Sequence, residues 1–138
     1  MILTFKSGNG KPVNLAESAT PGNVETENMI EKTISEIEAK VRSAASVGDE
    51  RKQELLELLG RLKAEVCSLE QTHREEADSI AGFAQVSTHE ATRQTKNPET
   101  LEHSVAGLRS SVEGFEQSHP KLVQVVDSIS KSLSSWGI

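Results

Sequence analysis

The chain has 138 residues, of which 35% are apolar and only 3% aromatic, with three Phe, one Trp and no Tyr. Such a length predicts one domain, and so few bulky side chains disfavour a broad round core; long helices with narrow apolar stripes fit better. A net charge of −6 without a basic stripe argues against nucleic acid as a partner, and no apolar run reaches the length that crosses a bilayer.

Residues 1–24 stand apart as a short N-terminal arm, a hairpin or a disordered segment. Ile2, Thr4 and Val13 flank Ser7-Gly8-Asn9-Gly10-Lys11-Pro12, in which Asn9-Gly10 is a hairpin-turn signal. Gly8-Asn9-Gly10-Lys11 lacks the spacing of a phosphate loop, and Pro12 stands where the hydroxyl should be. The opening residues carry no basic leader, so the expected location is cytoplasmic.

Residues 25–84 read as a helical hairpin with a long second helix. The first helix is expected from Glu25 to Ser46, with Ile30, Ile34, Ile37, Val41 and Ala44 repeating at spacings that alternate between four and three. Glu38 and Arg42 are placed for an i,i+4 ion pair. Val47-Gly48-Asp49 then supplies a stop and a new start. Leu55, Leu59, Leu62, Val66 and Leu69 form the second seam, with Cys67 beside it as a small packing residue. The same phase passes His73, Glu76, Ile80 and Phe83, which predicts a weakly held rod running on to Phe83 or Val86. Residues 85–97 have almost no apolar content and read as a polar linker or a frayed helix end.

Residues 98–138 form a C-terminal helical pair. Asn97-Pro98-Glu99 opens its first member: Asn caps free amides, Pro suits the first turn, and Glu answers the positive helix end. Leu101, Val105, Leu108, Val112 and Phe115 keep the 3.5-residue repeat and read as an oligomer seam. β-branched residues alternating with Leu favour two-stranded parallel pairing, although antiparallel pairing stays open. Ser118-His119-Pro120 then breaks or kinks the helix, and Leu122, Val126, Ile129, Leu133 and Trp136 resume in phase.

Two segments invite a search for chemistry. Glu70-Gln71-Thr72-His73 and Glu116-Gln117-Ser118-His119 both have the ExxH spacing of di-metal bundles. Such a site also needs an inward Glu from each of two other helices, and the remaining seams are apolar. His73 and His119 therefore read as register-setting seam residues, and His89 and His103 as solvated. No GxSxG, HExxH, CxxC or dinucleotide-binding glycine pattern occurs. The expectation is no enzyme, no cofactor and no metal; the rival is a metal-dependent helical-bundle enzyme using the two ExxH pairs.

Phe115-Glu116-x-x-His119-Pro120-x-Leu122, followed by the helix of Ile129 and Leu133 and a terminal aromatic-Gly-Ile, resembles a family of small helical proteins, domain-of-unknown-function family 4404. Residues 29–72 resemble that family's helical hairpin. The chain departs from the pattern at Trp136, where the family usually has Met, in the polar stretch 73–96 and in the arm before Met29. The resemblance implies a bacterial, cytoplasmic, all-helical protein and brings no activity with it. The reading as a whole is all-α: a coiled-coil-like bundle acting as a structural or protein–protein interaction module. Its expected partner is a second copy, a dimer being favoured, with docking of a foreign helix on His73–Phe83 as the alternative.

Overall fold

Four heptad-like ridges of Leu, Ile and Val set the architecture, and a fifth helix without such a ridge joins them. A computed structural model describes the backbone of residues 21–136 and the side chains of residues 29–136; the arm expected over residues 1–24 falls outside this range up to residue 20. The described residues form α1 (Pro21–Arg42), α2 (Asp49–Glu70), α3 (Arg74–Thr92), α4 (Pro98–Ser110) and α5 (Pro120–Trp136), and they contain no strand. None of these helices is long and apolar enough to cross a membrane. Consecutive helices pack on each other across short connections, so the chain runs up and down.

Helix α1 begins at Pro21, four residues before the expected Glu25, because proline fits a first turn where its missing amide needs no partner. It ends at Arg42, with Lys40 and Arg42 in the last turn facing the negative helix end. Glu38 pairs with Lys63 of α2 (3.3 Å), where the sequence suggested Arg42. Lys52 donates to the Arg42 carbonyl (3.0 Å), which ties the start of α2 to the end of α1.

The long rod predicted through Phe83 does not form. Helix α2 stops at Glu70, and the chain turns through Gln71–His73 and folds back as α3. This corner resets the phase. Eight residues, not seven, separate the buried Leu69 from the buried Ala77, so Glu76 and Phe83 come to the surface. The predicted linker is also corrected: helix continues to Thr92, and Ser87, Thr88 and Ala91 are buried within it.

Helix α3 packs against all four other helices. Its buried face is Ala77, Ile80, Ala81, Ala84, Ser87, Thr88 and Ala91, small enough for neighbouring backbones to approach closely. The ridges of α1, α2 and α5 are buried around it. So are Leu101, Val105, Leu108, Val112 and Phe115, which pack inside a single chain. No second copy is needed to cover them, and the surface that called for a dimer is already filled by α3.

Helix α4 ends at Ser110, well before the Ser118-His119-Pro120 break expected from sequence. The Ser111 hydroxyl donates to the Leu108 carbonyl (2.6 Å), and Gly114 takes a left-handed φ of 96° that only glycine adopts freely. Pro120 then starts α5 as a separate helix.

The buried hydroxyls divide into two groups. Ser104 donates to the Leu101 carbonyl (2.9 Å), whereas those of Ser87, Thr88 and Ser130 have no hydrogen-bond partner among the described residues. Ser87→Ala is therefore expected to raise the denaturation midpoint, since an unpartnered buried hydroxyl costs about 1–3 kcal/mol and alanine is the better helix former. Ala84→Leu is expected to lower stability by about 1–3 kcal/mol through overpacking, read by urea unfolding.

Candidate functional site

The two ExxH segments turn out to be corners. Each histidine amide closes a helical turn, His73 to the Leu69 carbonyl and His119 to the Phe115 carbonyl, both at 2.8 Å. Each histidine carbonyl then accepts the first bond of the next helix, from Ala77 (2.9 Å) and Val123 (3.3 Å). The preceding hydroxyl lies against each ring: Thr72 Oγ1 is 2.8 Å from His73 Nδ1, and Ser118 Oγ is 2.9 Å from His119 Nδ1.

Folding brings these corners together at one end of the bundle. The two imidazole centroids are 6.1 Å apart and nearly perpendicular. Phe115 packs edge-to-face on both, at 5.3 Å from His73 and 5.4 Å from His119. Exposed Glu116 turns back to accept from the Gly114 amide (3.0 Å), and Glu70 ends α2. Among the described residues, no group of three or more His, Cys, Asp or Glu is placed to hold a metal ion. What the arrangement does chemically is fix two chain reversals by ring packing and side-chain-to-backbone bonds. Pro120 occupies the first position of α5, and Leu122 is fully buried beneath it.

Beside this corner runs a groove of about 580 Å³, lined by Glu75, Glu76, Ser79 and Phe83 of α3 and by Gly107, Ser110, Glu113 and Phe115 of the α4 side. The Phe83 ring lies where a Cβ on Gly107 would stand, so that glycine makes room for it. Phe83 stays 40% exposed and Val86 48% exposed, one turn apart on the same helix. These two, with Met29, are the exposed large hydrophobic residues among those described.

The opposite end differs in charge. Lys40, Arg51, His89, Arg93 and Lys96 border a cleft with Trp136. His89, expected to be solvated, is exposed but accepts at Nδ1 from the Lys40 ammonium (3.2 Å). His103 is exposed on α4. Beside the cleft, Asn97 caps α4 as its sequence suggested, accepting from the amides of Glu99 (3.1 Å) and Thr100 (3.3 Å). The Thr100 hydroxyl donates to Glu90 (2.7 Å), which also pairs with Arg93 (2.9 Å). These two contacts, that of Thr100 first, hold the Glu90 carboxyl below the usual carboxylate range. Sequence reading missed this end because its cations lie far apart along the chain and share no motif.

The family model described as Domain of unknown function (DUF4404) matches residues 55–138, more than half of the chain. The chain belongs to this family. No curated protein and no solved structure matches it. The DUF4404 segment takes in most of α2 and all of α3, α4 and α5, whereas α1 precedes it. Both corners and the ring cluster lie inside that segment, as does the groove of Phe83.

The Glu90 contact predicts a titration. A depressed carboxyl contributes stability above the unfolded-state value of about 4.3 and loses it as pH falls through the lower folded value. Thr100→Val removes the leading cause, so the Glu90 carboxyl should titrate at higher pH in the variant. Carboxyl-detected NMR titration of the two proteins checks the direction.

Proposed function

We propose that this DUF4404 protein is a protein–protein interaction module, and that the Phe83 groove receives an amphipathic helix from a partner, with an apolar ridge flanked by Lys or Arg. The exposed Phe83–Val86 pair beside an acidic rim carries this reading. Helical segments are commonly bound through apolar anchors laid in a groove. Here the anchor would meet the exposed part of the Phe83 ring where it lies on Gly107, while Glu75, Glu76 and Glu113 would face the basic flanks. The groove takes up part of the stretch His73–Phe83 considered from sequence, but through Glu76 and Phe83, since Ile80 is buried inside the chain. Self-association through the same face would set these carboxylates against their own copies across a two-fold axis. That is why a basic partner is preferred to a homodimer. The metal-dependent enzyme has no comparable support, since each ExxH pair lies at a helix corner.

A designed helical peptide with a Leu ridge and Lys flanks is the probe, with a scrambled peptide of equal charge as control. Saturable binding of the designed peptide, weakened at least tenfold by Phe83→Glu and absent for the control, is the expected result. Equal binding of both peptides would reduce the contact to charge alone. Light scattering run alongside should give the 15.0 kDa protomer; twice that mass, lost on Phe83→Glu, would assign the face to a homodimer instead.

A further inference from the structure

We propose that the cleft at the opposite end of the bundle, between the Ala44–Gly48 turn and the Arg93–Lys96 connection, is a binding site for a small phosphate ester of nucleoside-diphosphate size. The cleft encloses about 1090 Å³. Pockets for drug-sized ligands run from roughly 300 to 1,000 Å³, so this one has room for a nucleotide and is far larger than a lone ion requires.

Its charge is opposite to that of the chain, which carries −6 overall. Lys40 comes from α1, Arg51 from α2, and Arg93 and Lys96 from the end of α3 and the connection beyond it. One carboxylate, Glu50, also lines the cleft, and Arg93 is matched by Glu90. Lys40, Arg51 and Lys96 form no ion pair among the described residues. Lys40 donates instead to the His89 imidazole, and Lys96 to the Ala91 carbonyl (2.6 Å). Cations held by neutral acceptors around one concavity are an arrangement that a multiply charged anion completes.

One further feature suits an anion, and the size of the cleft suits an ester over a bare phosphate. The N-terminus of α2 opens at the cleft, and its Gly48 cap offers no side-chain acceptor to the first-turn amides. Trp136 also lines the cleft with its edge, its ring being buried in the core, so it reports on the cleft without offering a face to a ligand. Lys40 and Arg51 precede the DUF4404 match and Arg93, Lys96 and Trp136 lie within it, so both parts of the chain are needed to build the site.

Trp136 is the sole tryptophan and there is no tyrosine, so intrinsic emission reports on this cleft alone. ADP is the probe, with adenosine and sodium chloride at matched ionic strength as controls. The full chain should show a saturable change in emission with ADP and none with either control, and amide NMR shifts should cluster at Gly48–Arg51. Lys40→Ala combined with Arg51→Ala, both exposed positions, should weaken ADP at least tenfold while leaving the circular dichroism unchanged. The proposal is overturned by no saturable change with ADP, by an equal change with adenosine or salt, by shifts centred elsewhere, or by undiminished affinity in the double variant.

Discussion

The structure depends on how closely helices can approach α3. A helix that packs against four others must be thin, because each neighbour brings its own layer of Leu, Ile or Val. Ala77, Ala81, Ala84, Ser87 and Ala91 provide that thinness, and Ile80 is the one bulky exception on the buried face. Protein interiors are packed as densely as organic crystals, so the volume missing from α3 has to be supplied by the ridges around it. This division of labour explains how a chain with 3% aromatic residues closes a core without a second copy.

It also explains which parts of the fold were legible in the sequence. The repeats of Ile30–Val41, Leu55–Leu69, Leu101–Phe115 and Leu122–Trp136 are periodic in hydropathy, and every one of those ridge positions is buried. The periodicity of α3 is one of size. Ala84, Ser87 and Ala91 keep the same alternating spacing, but alanine carries little apolar surface and serine is mostly found exposed, so hydropathy passes over them. The shift of one residue between Leu69 and Ala77 completed the error by carrying the old phase onto Glu76 and Phe83. The helix that the sequence runs together with its predecessor is thus the central one.

The candidate sites were legible in a similarly partial way. The doublet of Glu-Gln-Thr-His and Glu-Gln-Ser-His stands out in the sequence, and folding does bring its histidines together. What the spacing could not convey is that each motif bends the chain, and that Phe115 lies against both imidazoles. Phe115, His119 and Pro120 find their physical reason at that bend, in ring packing, turn closure and the opening of α5. The cationic cleft offered nothing to read beforehand, since Lys40, Arg51 and Lys96 meet only because α1 and α3 end at the level where α2 begins. The two ends of the bundle consequently differ in sign, acidic beside the rings and cationic beside Trp136.

Enclosure of α3 carries a consequence for the order in which the molecule breathes. Amide groups exchange with solvent through local openings whose cost follows the packing that must be undone. Opening α3 requires parting it from every neighbour, whereas α1 can detach from one side of the bundle and the short α4 from the other. The segment whose buried face carries the smallest side chains should thus be the last to take up deuterium, and helix-forming tendency would be a poor guide to protection in this molecule.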